Sequence, residues 1–142
     1  MKILLIAMPD TVIALDAVMK IPNLGICSLA GNLDGHTVKS VDLVFHNRNI
    51  RRYLEGILND FQPEMIGLSA MSYQYDSALR VSRICRSILP AAKIALGGYH
   101  ASLMYHKIGE GPDQDNFDFL IRGEGEAIFQ NLADATASGI RD

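Results

Sequence analysis

PAAKIALGGYHAS, residues 90–102, and FDFLIRGEGEAIFQNL, residues 117–132, each carry an apolar, strand-like run that ends on glycines. Glycine lets a backbone approach a ligand with no side chain in the way. Two such ends, side by side in one parallel sheet, would build a single binding edge. This pair predicts strands over residues 93–96 and 117–121, then a closing helix from about Glu124 to Ala137.

Outward from this pair the same alternation recurs. Residues 3–8 form a continuous apolar run stopped by Pro9, as expected for a strand buried on both faces. Ile26, Leu29, Ala30 and Leu33 repeat at helical spacing, closed by Asp34 and Gly35. Residues 37–43 read as a strand. Residues 49–61 read as a helix with Ile50, Leu54, Ile57, Leu58 and Phe61 inward, ended by Pro63. Residues 65–70 are the next buried strand, and the helix after it turns Ala78, Val81, Cys85 and Ile88 inward. Residues 109–116 read as a surface loop. Five apolar strands alternating with helices predict an α/β fold, a Rossmann-like (flavodoxin-like) doubly wound parallel sheet of order 2-1-3-4-5 with helices on both faces. Ligands of such sheets sit beyond the carboxyl ends of the strands, near the switch between strands 1 and 3.

Composition narrows the partners. The 142 residues suit one domain, 1–142, and need no metal or disulfide to hold it together. A net charge of −3 gives phosphate backbones nothing to grip, so nucleic acid is not expected. Cys27 and Cys85 stand far apart inside helical patterns and form neither a metal pair nor a disulfide, which fits a reducing cytoplasm. The apolar opening is far shorter than the roughly 20 residues of a membrane span. A cytoplasmic protein without a membrane partner is the expectation.

Three common ligands of this architecture fail on the residues. A dinucleotide fold needs G-x-G-x-x-G after strand 1, where PDTVIA stands. A phosphorylatable aspartate at the end of strand 3 is replaced by Ser69. A flavin-phosphate loop after strand 1 would rest on Thr11 alone.

The ordered set PNLGICSLAGNLDGHTVKSVDL (22–43), IGLSAMSYQYDSAL (66–79), GGYHAS (97–102) and DFLIRGEGEAIFQNL (118–132) resembles the amino-terminal cobalamin (B12)-binding domain of cobalamin-dependent radical S-adenosylmethionine enzymes. The resemblance spans almost the whole chain. It implies base-off cobalamin, with the dimethylbenzimidazole tail swung away from cobalt and buried alongside the sheet. Ser69, Met71 and Ser72 match the family's serine-containing turn beside that tail; capping of the following helix is the alternative for the serines. Gly97 and Gly98 match its paired glycines, where a side chain would meet the nucleotide, and Gly98→Val is expected to block the tail while sparing the fold. A simple tight turn is the other reading of the pair. By the same resemblance Gly123, Glu124 and Gly125 are cofactor or domain-interface residues.

Better-known cobalamin domains carry D-x-H-x-x-G after strand 1, and residues 9–25 contain no histidine. The lower axial ligand is therefore absent, as is common in the radical enzymes. In its place lies VIALDAVMKIPNLG (12–25), read as a cover under the corrin, with Met19, Ile21, Leu24 and the adjoining Gly25 as candidate contacts. His100 follows the glycine pair and could bond a corrin amide, while His36 is read as a solvated turn residue. Asp42, ending strand 2, is read as a loop cap.

The chain contains no C-x-x-x-C-x-x-C for an iron–sulfur cluster, so no catalysis is expected of it alone. The resemblance implies a carboxyl-terminal radical S-adenosylmethionine domain in the same polypeptide, with S-adenosylmethionine and a [4Fe-4S] cluster, acting as a methyltransferase or cyclase. The alternative is a degenerate Rossmann-like docking module that binds no corrinoid.

Overall fold

The computed structural model describes residues 1–9, 23–46 and 48–139. Five parallel strands, β1 (Lys2–Ala7), β2 (Thr37–Asp42), β3 (Met65–Ser69), β4 (Lys93–Gly97) and β5 (Phe119–Leu120), form one sheet in the order β2-β1-β3-β4-β5. This is the predicted order. Right-handed crossovers then require α1 (Leu24–Gly31) and α5 (Gly125–Ala137) on one face, and α2 (Ile50–Phe61), α3 (Tyr75–Ile88) and α4 (Tyr99–Gly109) on the other. Among the described residues no helix is long and apolar enough to cross a membrane.

The pleat of each strand divides the core in two. Leu4, Ile6, Ile66, Leu68, Ile94 and Leu96 face α2, α3 and α4, where they meet Leu54, Leu58, Ala78, Val81, Cys85 and Ile108. Ile3, Leu5, Ala7, Met65 and Ala95 face α1 and α5, where they meet Ile26, Phe129 and Ala133. Burial pushes the Cys85 thiol up to about 12, so it remains a protonated core group.

Local chemistry sets the helix ends. The Asn23 and Asn49 side chains accept the Ile26 and Arg52 N–H groups at the starts of α1 and α2. Gln62 ends α2 in the left-handed region, its N–H donating to Leu58 O at 2.9 Å, and Pro63 prevents continuation. Three boundaries differ from expectation. α1 stops at Gly31, and Leu33 is buried from the turn beyond it. β5 is two residues long, although Asp118 and Ile121 still donate to Ile94 and Leu96 carbonyls on either side of it. Most informative is α4, eleven residues starting directly after Gly98, where the sequence suggested only a turn and a loop.

Candidate functional site

Alternation sends Gly67 and Ser69 of β3, and Ala95 and Gly97 of β4, to the α1/α5 face. Register pairs Gly67 with Ala95 and Ser69 with Gly97. Four small residues therefore tile the carboxyl half of that face, and the helices above leave space along it except where Phe129 packs over Gly67. A cleft of about 130 Å³ results, floored by this tile and walled by α1 through Gly25, Ile26 and Leu29. Its other wall is Ile121, Gly123, Gly125, Glu126 and Phe129. Six of the chain's twelve glycines line it: Gly25, Gly67, Gly97, Gly98, Gly123 and Gly125.

These glycines have different causes. A Cβ on Gly97 would sit 3.6 Å from Ile121 Cβ, and one on Gly125 would sit 3.8 Å from Leu29 Cδ1, both ordinary contacts. Their missing side chains keep space open. A Cβ on Gly67 would lie 2.8 Å from Leu5 Cδ2 and 3.0 Å from the Phe129 ring, so this glycine lets those groups close the deep end. Gly98 belongs to the backbone: its φ is 91°, and a Cβ would lie 2.8 Å from Ala70 O and 3.0 Å from Ala70 N. The expectation that Gly98 tolerates valine without cost to the fold is corrected by this geometry.

Ser102 joins the GGYHAS and RGEGE stretches. Its hydroxyl donates to Gly98 O at 3.0 Å and accepts the Gly123 N–H at 2.9 Å, fixing the RGEGE turn against the end of β4. Across the cleft mouth, Ser28 Oγ of α1 donates to Glu126 Oε1 of α5 at 2.8 Å. That hydrogen bond holds the Glu126 carboxyl below its usual range.

The other predicted residues divide by position. Gly25, Ser69, Gly97, Gly98, Gly123 and Gly125 meet at the cleft. Among the described residues no group pairs with the Ser69 hydroxyl, and Ser72 does not cap α3, whose N-cap is Gln74. Met71 and Ser72 lie beyond β3, exposed, with the Met71 N–H donating to Gln74 Oε1 at 2.9 Å. Leu24 opens α1 and is 76% exposed. Glu124 is the exposed N-cap of α5 and makes no side-chain cap. Met19 and Ile21 lie outside the described residues. His100 sits in the first turn of α4, its ring stacked on Tyr75 at 4.2 Å between centroids. Its Nδ1 is buried without a partner among the described residues, and burial lowers its pKa, so the imidazole is neutral at pH 7. Tyr75 is itself pushed up to about 12, first by burial and then by the charge of Asp113.

Asp42 is a loop cap, accepting the Asn23 and Val44 N–H groups on its two oxygens. His36 is not solvated: its side chain is 4% exposed, held between Asp134 Oδ1 at 3.0 Å and the amino terminus at 3.4 Å. The DGHT turn packs onto α5, which local sequence does not reveal. Sequence reasoning also missed Gly67, Ala95 and Phe129 as cleft residues. The signal for Gly67 and Ala95 was their period-two spacing from Ser69 and Gly97; Phe129 carried none.

Residues 11–133 match the description of the B12 binding domain family. Over 112 residues the chain is 28% identical to an anaerobic magnesium-protoporphyrin IX monomethyl ester cyclase of Cereibacter sphaeroides, covering 78% of the chain and 17% of that enzyme. It is 30% identical to an uncharacterised methyltransferase of Pyrococcus horikoshii, covering 98% of the chain and 30% of the relative. The chain thus spans under a third of these curated relatives. Its fold is similar to that of the radical S-adenosylmethionine methyltransferase TsrM of Kitasatospora setae, at 21% identity and a TM-score of 0.79, covering 99% of the chain and 26% of TsrM. A cobalamin-binding protein of Desulfitobacterium hafniense matches with a TM-score of 0.60 at 14% identity, covering 94% and 57%.

Proposed function

The chain belongs to the B12-binding domain family, and on that premise we propose that it holds cobalamin base-off, with the nucleotide tail in the cleft between α1 and α5. The observation that carries this is the four-residue tile of Gly67, Ser69, Ala95 and Gly97 beneath two helices whose facing positions include Gly25 and Gly125. A flat heterocycle threaded along a sheet needs missing side chains and a few donors. Here the fit is to an open, largely apolar slot with the Ser69 hydroxyl at its mouth. The residues proposed to hold the tail are Gly25, Ser69, Gly97, Gly98, Gly123 and Gly125. Leu24, Met71, Ser72, His100 and Glu124 stand at or near the carboxyl edge, where the corrin would rest.

Cobalamin, when bound, supplies a cobalt centre for group transfer or radical chemistry that side chains cannot provide. This domain's own share is to bind, orient and exclude water. The histidine-free stretch 9–25 supports binding without an imidazole ligand on the lower face. In the longer protein the domain presents the upper face to a radical S-adenosylmethionine domain carrying the iron–sulfur cluster, for methyl transfer.

Titration of the purified chain with cobalamin at neutral pH is the test. The visible spectrum is expected to shift to the base-off form, without nitrogen coordination from the protein in electron paramagnetic resonance. An unchanged spectrum at saturating cobalamin would favour the docking-module reading.

A further inference from the structure

We infer that the deep end of the cleft selects corrinoids by their lower base, accepting a hydrocarbon-edged benzimidazole and discriminating against a purine. This rests on the proposed seating of the tail and adds a ligand class to it.

Among the described residues, polar side chains line the cleft only at its mouth, as Ser69 and Glu126. Two residues deeper along the strands, about 6.6 Å at the usual rise, the floor is Gly67 and Ala95. Around them stand Ile26, Leu29 and Phe129. The strand backbone there is paired in the β3–β4 ladder at Gly67 and Ala95, so its hydrogen-bonding groups are committed to the sheet. At Gly67 the Leu5 side chain and the Phe129 ring stand 2.8 and 3.0 Å from where a Cβ would lie, and they close the slot there.

A benzimidazole with methyl groups on its benzene edge offers that end nothing that needs a partner. Adenine brings ring nitrogens and an exocyclic amine. Each loses water on entry and finds no donor or acceptor, a penalty of about ten- to a hundredfold in affinity.

The experiment compares three probes on the intact chain by calorimetry: cobalamin, the corrinoid with adenine as its lower base, and cobinamide, which has no nucleotide tail. Cobalamin is expected to bind about ten- to a hundredfold more tightly than the adenine form. Equal binding of the two tailed forms, both tighter than cobinamide, would overturn the selectivity while leaving the seating of the tail intact. Cobinamide binding as tightly as cobalamin would overturn the seating itself. In Ala95→Ser, a hydroxyl of nearly the same size on the floor is expected to narrow the preference severalfold. A preference unchanged in that folded variant would show that the floor does not read the base.

Discussion

The two faces of the sheet are built by the same strands to different ends. Towards α2, α3 and α4 the strands present Ile66, Leu68, Ile94 and Leu96, all at 2% exposure or less, and the space is filled. Towards α1 and α5 the same strands present Met65, Gly67 and Ser69, then Ala95 and Gly97, all small beyond Met65. One face supplies stability and the other gives up burial to keep a slot. Because side chains alternate, one residue separates the two roles: Leu68 lies between Gly67 and Ser69, and Leu96 between Ala95 and Gly97.

The largest expected effect breaks the filled face. Leu96→Ala would leave a cavity in a fully buried site and cost about 2–5 kcal/mol in urea unfolding. Cobalamin affinity of the variant that remains folded should be nearly unchanged. Next comes Gly98, which serves the backbone: Gly98→Ala forces a side chain into a left-handed φ against Ala70 O, at about 1–3 kcal/mol. A midpoint unchanged on thermal unfolding would contradict this. Gly97→Val sharpens the contrast. It should alter stability by under about 1 kcal/mol, since Gly97 sits in ordinary strand backbone with room for a Cβ, yet weaken cobalamin binding about tenfold or more, about 1.4 kcal/mol.

The smallest effect concerns the edge of the filled face. Burial would raise the Asp118 pKa, but hydrogen bonds from Arg86 at 2.6 Å, the Ile94 N–H at 2.8 Å and Lys93 at 3.1 Å, with the Arg86 charge, hold it below the ordinary value. A depressed carboxylate pKa stabilises the fold above the unfolded value near 3.9 and loses that contribution as pH falls through the folded one. Asp118→Asn should therefore cost about 1 kcal/mol at pH 7, and its difference from the parent should fade below about pH 4. Chemical unfolding across pH checks this.

Strand order was legible because β1, β3 and β4 are apolar runs set between helical patterns, and that alternation also placed β2, TVKSVD, despite its polar residues. α4 was not, since YHASLMYHKIG has no clean apolar stripe and begins on a glycine pair that reads equally as a turn. The glycines of RGEGE and GGYHAS announced themselves by clustering. Gly67 did not: inside MIGLSA it is one residue of a buried strand, and its importance appears only once its face is known. Met71 and Ser72 were assigned by resemblance to the family's serine-containing turn, and His100 by its place after the glycine pair. They lie in the turn after β3 and the first turn of α4, and are not among the residues that line the slot.

The ties across the slot join segments far apart in the sequence. Ser28 to Glu126 and His36 to Asp134 each span 98 positions, and Gln130 to Asp34 spans 96. Contacts so distant along a chain form late, after local ones have lowered the entropy of closure. During synthesis, α2, α3 and the strands beside them can assemble while the final helix is still inside the ribosome. The slot acquires its second wall only when α5 emerges. The pocket therefore stays open to solvent until α5 is free to pack, which sets the earliest point at which a two-walled slot can exist.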